Sequence, residues 1–273
     1  MKKIIAMLLA LMLVMTGIAV FTACDGGDEN KGNTESTEAP TTEEQTTEAP
    51  APQVLKMATN AYFQPYEFYQ DGKIVGIDAE IAAAIAAKLG MTLEIVDMEF
   101  DSIITAVNAG SVDFGMAGMT VTEDRLKEVD FSISYANGVQ AIIVKNDSPI
   151  TCADDLYAEG ASYKVGVQLG TTGDIYATGD FGAENVTTYS NGNEAVLALL
   201  GGSVDCVIID NEPAKALVAA NAGLKVLDTA YANEDYAICI KKGNTELLDA
   251  INNAIKELTA DGTIDAIIAK YIK

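Results

Sequence analysis

From Val54 to the C-terminus, short apolar runs alternate with segments of helical periodicity. Val54–Thr59 has the pattern of a first strand. The first helix is marked by apolar residues at four-residue intervals, namely Ile77, Ile81, Ile85 and Leu89. A second block of strands and helices begins at 141–145. Strands that alternate with helices predict an α/β fold whose mainly parallel sheet is covered on both faces.

The N-terminal residues have a different character. Residues 1–23 carry Lys2 and Lys3 near the start, continue as an apolar run from Ile4 to Val20 and end in small residues before Cys24. This order is typical of a lipoprotein signal peptide, with lipid attached at Cys24 after cleavage. Phe21 departs from the leucine usual at its position, so an uncleaved anchor or an ordinary secreted protein stay open as alternatives.

Residues 24–53 consist mainly of Thr, Glu, Pro, Ala, Gly and Asn. Such a segment cannot bury enough apolar surface to offset its ordering entropy, so we expect a disordered tether. The tether holds eight acids and one lysine of a chain whose net charge is −23. The remainder is also acidic, which argues against a basic face for nucleic acid.

The chain contains no histidine, which removes the commonest general base and the commonest zinc ligand. We therefore predict neither a metal nor a cofactor. Cys152, Cys206 and Cys239 form no Cys-x-x-Cys motif, and the last two stand in apolar runs typical of buried strands. A single disulfide among the three stays open.

The stretch from Gly118 to Tyr135 concentrates groups that suit an anion. Thr122 is a good N-cap for a helix that begins at Glu123, directly after a run of alternating apolar residues. Hydroxyls, free backbone N–H groups and the guanidinium of Arg125 would then meet where a strand ends and a helix begins. That combination suits a carboxylate. The alternative is a solvated arginine on a surface turn.

Two features of the second block also suit a ligand. The loop Gln168–Gly173 lacks the Gly-Lys-Ser/Thr ending of a phosphate loop, but it can present N–H groups to an anion. Asp210 ends the strand predicted at Val204–Ile209, at the sheet edge where ligands bind in α/β proteins. Asp210 could instead cap the helix that contains Pro213.

A short repeat suggests two similar lobes. Gly110-Ser-Val-Asp113 and Gly202-Ser-Val-Asp205 both follow a predicted helix and precede a predicted strand. A cleft between two lobes is a favoured place for a small ligand. The loop Asn60–Tyr69 is crowded with aromatic residues, which could cover a core or contact that ligand.

With these residues in view, the chain resembles the bacterial solute-binding protein family 3, which serves amino-acid ABC transporters and includes glutamine- and histidine-binding proteins. The resemblance runs from Val54 to Lys273. Its motifs are Gly76-Ile-Asp-Ala-Glu80, Gly118–Tyr135, Val165–Thr172, Val204–Asp210 and Asp261-Gly-Thr-Ile.

The resemblance implies a type II periplasmic-binding-protein-like fold, with two α/β lobes, two hinge segments and a ligand cleft between the lobes. Lobe 1 would comprise 54–138 plus 236–273, and lobe 2 would comprise 139–235. The hinges would lie near Ala136–Ala141 and Asn233–Tyr236.

The resemblance also implies how the common part of an amino acid would be held. Arg125 would pair with the α-carboxylate, helped by backbone N–H groups near Thr120 and Thr172 and by the Thr120 hydroxyl. Asp210 and the carbonyl of Gly118 would take the α-ammonium.

For the ligand side chain, the resemblance implies Phe63 and Phe100 as flanking rings, with Asn60, Ala117 and Gln168 lining the pocket. Family members that take cationic amino acids tend to carry an acid at the position of Asn60. Because a neutral amide cannot neutralise a buried cation, we expect a polar uncharged side chain such as that of glutamine.

The expected protein is not an enzyme. It would be a monomeric lipoprotein on the extracellular face of the membrane, anchored through Cys24, that delivers a free L-amino acid to ABC permease subunits. A sensory lipoprotein is one alternative, because lobe closure could signal to a receptor. A dehydratase-type enzyme is another, with Asp210 or Glu67 as acid or base, whereas a lytic enzyme would need an additional domain.

Overall fold

The computed structural model describes residues 53–228 and 230–272. The predicted signal peptide, the lipid-attachment residue Cys24 and nearly all of the predicted tether lie outside the described residues. No helix of the described part has the length and apolar character needed to cross a membrane.

Strands and helices follow the predicted alternation. The described strands are β1 Val54–Thr59, β2 Tyr62–Phe63, β3 Glu67–Gln70, β4 Lys73–Val75, β5 Thr92–Asp97, β6 Phe114–Gly115, β7 Val129–Phe131, β8 Ala136–Lys145, β9 Val165–Gln168, β10 Val186–Tyr189, β11 Cys206–Asp210, β12 Leu224–Val226, β13 Ala232–Tyr236 and β14 Cys239–Lys241. The α-helices are α1 Ile77–Lys88, α2 Ile103–Ala109, α3 Glu123–Glu128, α4 Thr172–Phe181, α5 Gly192–Gly201, α6 Asn211–Ala220, α7 Thr245–Ala260 and α8 Thr263–Tyr271. Short 3-10 turns occupy Phe100–Ser102, Ala153–Tyr157 and Ala183–Asn185.

The strands form two large mixed sheets, one in each lobe. In lobe 1 the order is β5-β1-β6-β14-β7, and in lobe 2 it is β10-β9-β11-β8-β12, with β13 also on β8. The α/β class is confirmed, but the expectation of a mainly parallel sheet is wrong. β14 runs antiparallel to both of its neighbours, and so does β8 to β11, β12 and β13. These strands belong to the segments by which the chain passes from one lobe to the other, so their direction is set by that passage rather than by a helical crossover.

The aromatic loop after β1 contains a small third sheet, β2-β3-β4. It divides the aromatic side chains: Phe63 and Tyr66 are buried, whereas Tyr62 and Tyr69 are about half exposed. Gly76 joins this sheet to α1, where a Cβ atom would lie only 2.2 Å from the carbonyl oxygen of Tyr66. That close approach lets the Asp78 N–H donate to the same carbonyl at 2.9 Å.

The apolar face predicted for the first helix, with residues at four-residue intervals, is largely confirmed. Ile77, Ile81 and Ile85 are fully buried, and each such burial contributes about 1.5–3 kcal/mol. They share one core with residues of α7 and α8, so the C-terminal helices return to lobe 1.

The short repeat occupies equivalent places in the two lobes. Gly110 and Gly202 end α2 and α5 in the left-handed conformation. Three residues later, Asp113 accepts the backbone N–H of Lys56 and Asp205 accepts that of Lys164, each at 2.7 Å. The repeated motif therefore ties the end of a helix to a neighbouring strand in the same way twice.

The two segments that pass between the lobes pair with each other. β8 and β13 run antiparallel, with Ala136 opposite Tyr236 and Val139 opposite Asn233. The predicted hinge positions thus lie side by side in one two-stranded ribbon. The residue boundaries given above for the lobes stay a prediction.

Within the described residues, Cys152, Cys206 and Cys239 are free thiols. Cys206 and Cys239 are fully buried, as predicted, and burial raises the pKa of each thiol to about 12.

Candidate ligand-binding site

All of the predicted ligand-binding residues line one small cavity between the lobes. The cavity is lined by Asn60, Phe63, Glu67, Phe100, Ala117, Gly118, Thr120, Arg125, Gln168, Thr171, Thr172 and Asp210. Its empty volume, counted together with its opening to solvent, is about 300 Å³. Glu67 and Thr171 are additions that the site prediction missed.

Arg125 is held by the turn that the sequence predicts. The Thr122 side chain caps α3 by accepting the Arg125 N–H at 3.2 Å. The Arg125 side chain is buried, so the alternative of a solvated surface arginine is wrong. Its guanidinium donates to the carbonyls of Thr120 (2.7 Å) and Gly170 (3.0 Å) and lies 5.3 Å from the centre of the Phe100 ring.

The positive charge of the Arg125 guanidinium is poorly compensated. In the described part of the chain, Arg125 forms no ion pair with a carboxylate. Burial lowers its pKa from the ordinary value, partly offset by the charge of Glu234. A buried cation with only carbonyl partners favours an anion that arrives from outside.

The N-terminus of α4 faces the same cavity. Thr171 caps this ten-residue helix by accepting the Asp174 N–H at 3.4 Å, and Thr172 is its first residue. Both threonines line the cavity, so the free N–H groups and the positive end of the helix dipole add to the anion-binding character near Arg125.

Asp210 lies on the lobe 2 side and is buried. Its Oδ2 accepts the Gln140 amide Nε2 at 2.7 Å, and its Oδ1 accepts the Tyr236 hydroxyl. Asp210 occupies the N-cap position of α6, as the alternative predicts, but its side chain makes no capping bond to that helix within the described residues. Burial, followed by the charge of Glu234, raises the pKa of Asp210 to about 7.

Sequence reasoning missed the group that surrounds Asp210. The Gln140 Nε2 also donates to Glu234 Oε2 at 3.0 Å, so one amide bridges two carboxyl groups. Gln140 and Glu234 are both buried. They stand on β8 and β13, the two strands that pass between the lobes. The signal that could have revealed Gln140 is a lone amide at the start of the apolar run 139–144.

Amide groups meet where the side-chain pocket is predicted. Gln168 Nε2 donates to Asn60 Oδ1 at 3.0 Å, and Asn60 Nδ2 donates to the Met98 carbonyl at 2.8 Å. The Gln168–Asn60 bond joins lobe 2 to lobe 1, as the Arg125–Gly170 bond does. The two lobes are therefore in contact across the cavity.

Comparison with known proteins identifies the family. A family model described as bacterial extracellular solute-binding proteins, family 3, matches residues 55–273. The chain belongs to this family.

Relatives within the solute-binding family differ in the amino acid they are named for. The arginine-binding extracellular protein ArtP of Bacillus subtilis is 33% identical over 224 residues, which cover 80% of this chain and 85% of ArtP. The L-cystine-binding protein TcyJ of Escherichia coli is 31% identical over 221 residues, 80% of this chain and 82% of TcyJ.

A solved structure of an ancestral arginine-binding protein bound to glutamine is also similar. It is 41% identical with a TM-score of 0.76, over 81% of this chain and 99% of that protein. The relatives of this solute-binding protein are thus amino-acid-binding proteins of ABC transporters, and their specificities vary.

Proposed function

We propose that this chain is the extracellular substrate-binding subunit of an amino-acid ABC importer and that it captures a free L-amino acid with a polar uncharged side chain, glutamine foremost. The observation that carries the proposal is the pair of opposite charges at the cavity. Among the described residues, the buried guanidinium of Arg125 has no carboxylate partner and the buried carboxylate of Asp210 has no cationic partner, and both face the same small space.

Those two groups match the two charges of a free amino acid. Arg125, with the N-terminus of α4, would hold the α-carboxylate. Asp210 and the Gly118 carbonyl would hold the α-ammonium. A peptide would lack one or both of the free terminal charges next to its side chain, so we propose a single amino acid.

The preference for an uncharged side chain is supported by Asn60 and Gln168. Their amides can donate to and accept from a ligand amide, and neither can neutralise a buried cation. Because relatives with this fold take several amino acids, this part of the proposal depends on the pocket residues of this chain alone.

Capture would proceed by a shift between open and closed forms. Ligand contacts to both lobes exist only in the closed form, so a ligand stabilises closure by its difference in affinity for the two forms. The closed form would then dock on the permease, while a lipid at Cys24 and the tether 24–53 keep the monomeric protein near its partner.

A thermal-shift panel of the common amino acids on the full chain tests the proposal, after unfolding and refolding to remove carried-over ligand. A ligand at 100 times its dissociation constant should stabilise by about 2.7 kcal/mol. For a chain of this size that corresponds to a rise in Tm of about 5–10 °C. We expect the largest rise with glutamine.

The Arg125→Ala variant should bind that ligand about 100-fold more weakly, because it removes one partner of a buried charge pair. Lys127→Ala is the matched control, since Lys127 lies two residues away on the same helix and is exposed. Tightest binding of arginine or lysine would contradict the uncharged preference. Flat traces with every amino acid would contradict the binding function itself.

A further inference from the structure

The carboxyl groups of Glu67 and Asp78 meet beneath the cavity, and no part of the binding scheme above uses them. Both residues are fully buried. Glu67 stands on β3 and lines the cavity, while Asp78 stands in the first turn of α1. The close approach at Gly76 brings these two elements together.

The hydrogen bonds of the two carboxyl groups are unequal. Asp78 Oδ2 accepts two bonds of 2.8 Å, from the Gly118 N–H and from the Tyr135 hydroxyl. Asp78 Oδ1 and both oxygens of Glu67 have no donor among the described residues. The Ile77 N–H donates to the Pro65 carbonyl at 3.1 Å and the Asp78 N–H donates to the Tyr66 carbonyl at 2.9 Å, so the start of α1 runs beside the segment that leads into Glu67. This pairing brings the two carboxyl groups within hydrogen-bonding reach of each other.

Two ionised carboxylates in contact without water would repel each other strongly. One proton between them removes the repulsion and supplies the donor that the facing oxygens lack. The N–H and O–H donors on Asp78, together with its place at a helix N-terminus, favour the ionised form of Asp78. Glu67 has no such donors, so the proton belongs on Glu67.

We propose that Glu67 is protonated at neutral pH and that its carboxyl O–H donates a hydrogen bond to the ionised Asp78. The pair thereby positions the Gly118 peptide at the ligand cavity. The ionised Asp78 holds the Gly118 N–H, and the neutral Glu67 leaves this wall of the cavity without an unpaired negative charge. That second consequence, an environment unsuited to a cationic side chain, rests on the proposed function.

The groups around the pair also favour a proton on Glu67. Burial raises the pKa of Glu67, and the neighbouring charge of Asp78 raises it further, with smaller effects from Asp210 and Asp97. Burial raises the pKa of Asp78 as well, and its bonds from Gly118 and Tyr135 oppose that rise. The phenols that face the pair, Tyr66 and Tyr135, also have raised pKa values and stay neutral.

A stability measurement without ligand tests the proton on Glu67. An unfolded glutamate ionises above about pH 4.3, whereas the folded protein must keep Glu67 protonated, so the wild type loses stability as pH rises from that value through the raised pKa. Glu67→Gln carries no titrating group and keeps a donor toward Asp78. The folding equilibrium constant of the wild type relative to Glu67→Gln should fall about tenfold per pH unit between pH 5 and 7.

Urea unfolding of the full chain at several pH values gives this ratio. Glu94→Gln is the matched control, because Glu94 is a half-exposed glutamate of lobe 1 that pairs with Lys56 at 3.6 Å. The free energy of unfolding of Glu94→Gln should change with pH in the same way as that of the wild type. A merely structural effect of Glu67→Gln would give a ratio independent of pH between 5 and 8, and that result would overturn the proposal.

A second measurement needs no variant to fold. In the full wild-type chain labelled with ¹³C at the glutamate carboxyl carbon, one resonance should keep the chemical shift of a protonated acid at pH 7. Ionised shifts for every glutamate at that pH would overturn the proposal. Neither experiment involves a ligand, so a failure here is separate from a failure of the thermal-shift panel.

Discussion

Two pairs of carboxyl groups lie beside the ligand cavity, one in each lobe, and they are built differently. In lobe 2, Asp210 and Glu234 are bridged by the amide of Gln140, which donates to both. In lobe 1, Glu67 and Asp78 face each other, and no described residue supplies a bridging donor. Both pairs are buried in an acidic protein, so the difference lies in the donors around them.

The difference shows that an aspartate and a glutamate beside the same cavity can either bind an ammonium group or limit the negative charge, depending on the donors around them. The amide donor of Gln140 lowers the cost of ionising Asp210 beside Glu234, which leaves lobe 2 able to take an ammonium group. Direct contact between carboxyls is tolerable only with a proton, which leaves lobe 1 with one charge that its own Gly118 and Tyr135 already satisfy. Three predictions test this comparison, beginning with the largest effect.

The first prediction concerns the charge on Asp210. With a pKa of about 7, about 1% of Asp210 is ionised at pH 5 and about half at pH 7. Binding of an ammonium group selects the ionised form and releases a proton, so ligand affinity should rise about 50-fold from pH 5 to pH 7 and level off above. Titration calorimetry of the best ligand from the panel measures this rise.

Asp210→Asn should bind at least 100-fold more weakly at pH 7 and lose the pH dependence, because the ammonium then has no anionic partner. Glu212→Gln serves as control, since the Glu212 carboxylate is paired with Lys215 at 2.6 Å. A pH profile that survives in Asp210→Asn would assign the titrating group elsewhere and break the comparison.

The second prediction removes the bridge. In Gln140→Met, Asp210 and Glu234 lose their common donor, and lobe 2 then resembles lobe 1. The loss of a hydrogen bond to a charged group, worth about 1.5–3 kcal/mol, should raise the pKa of Asp210 by one unit or more. Affinity at pH 7 should fall about tenfold, and the midpoint of the pH profile should move upward.

Asn137→Leu controls for the second prediction. Its amide donates to Asp235 at 2.6 Å between the same two strands, but on the exposed side. The pH midpoint should stay in place in this control. An unmoved midpoint in Gln140→Met would mean that the shared amide does not set the ionisation of Asp210.

The third and smallest effect on affinity is expected in lobe 1. Tyr135→Phe removes one of the two donors to Asp78 and should lower the free energy of unfolding by about 1.5 kcal/mol, with a change in ligand affinity below about threefold. Tyr69→Phe removes a comparable but exposed bond to Asp97 and should change stability by less than about 0.5 kcal/mol. Equal effects of the two variants would show that burial of the Asp78 bond adds nothing.

Much of the architecture could be predicted from local pattern. The β1 strand, the face of α1 and the Thr122 cap of α3 depend on neighbours within a few residues, and all three were predicted correctly. The sheet direction was not, because β8 and β14 take their orientation from the passage between lobes. β6 is only two residues long, since its pairing with β1 and β14 covers Phe114 and Gly115 alone.

The residues around the cavity also divide into those that local sequence pattern predicts and those that only the tertiary structure brings together. Arg125 and Asp210 stand at recognisable places, the ends of a strand and the starts of helices, and the family resemblance supplied their roles. Glu67 and Asp78 are eleven positions apart, on β3 and in α1, and nothing in their spacing indicates contact. Glu234 and Gln140 are separated by 94 positions.

The sequence by itself determined the α/β class, the family and ten of the twelve residues that line the cavity, because periodicity, capping and motif spacing are local properties of the chain. The tertiary structure alone decided which carboxyl groups touch, which share a donor and which are cut off from water. Those features depend on how β3, α1, β8, β11 and β13 pack together, and they set the charge of each group. The charge state of the cavity is therefore a property of the fold rather than of the residue list.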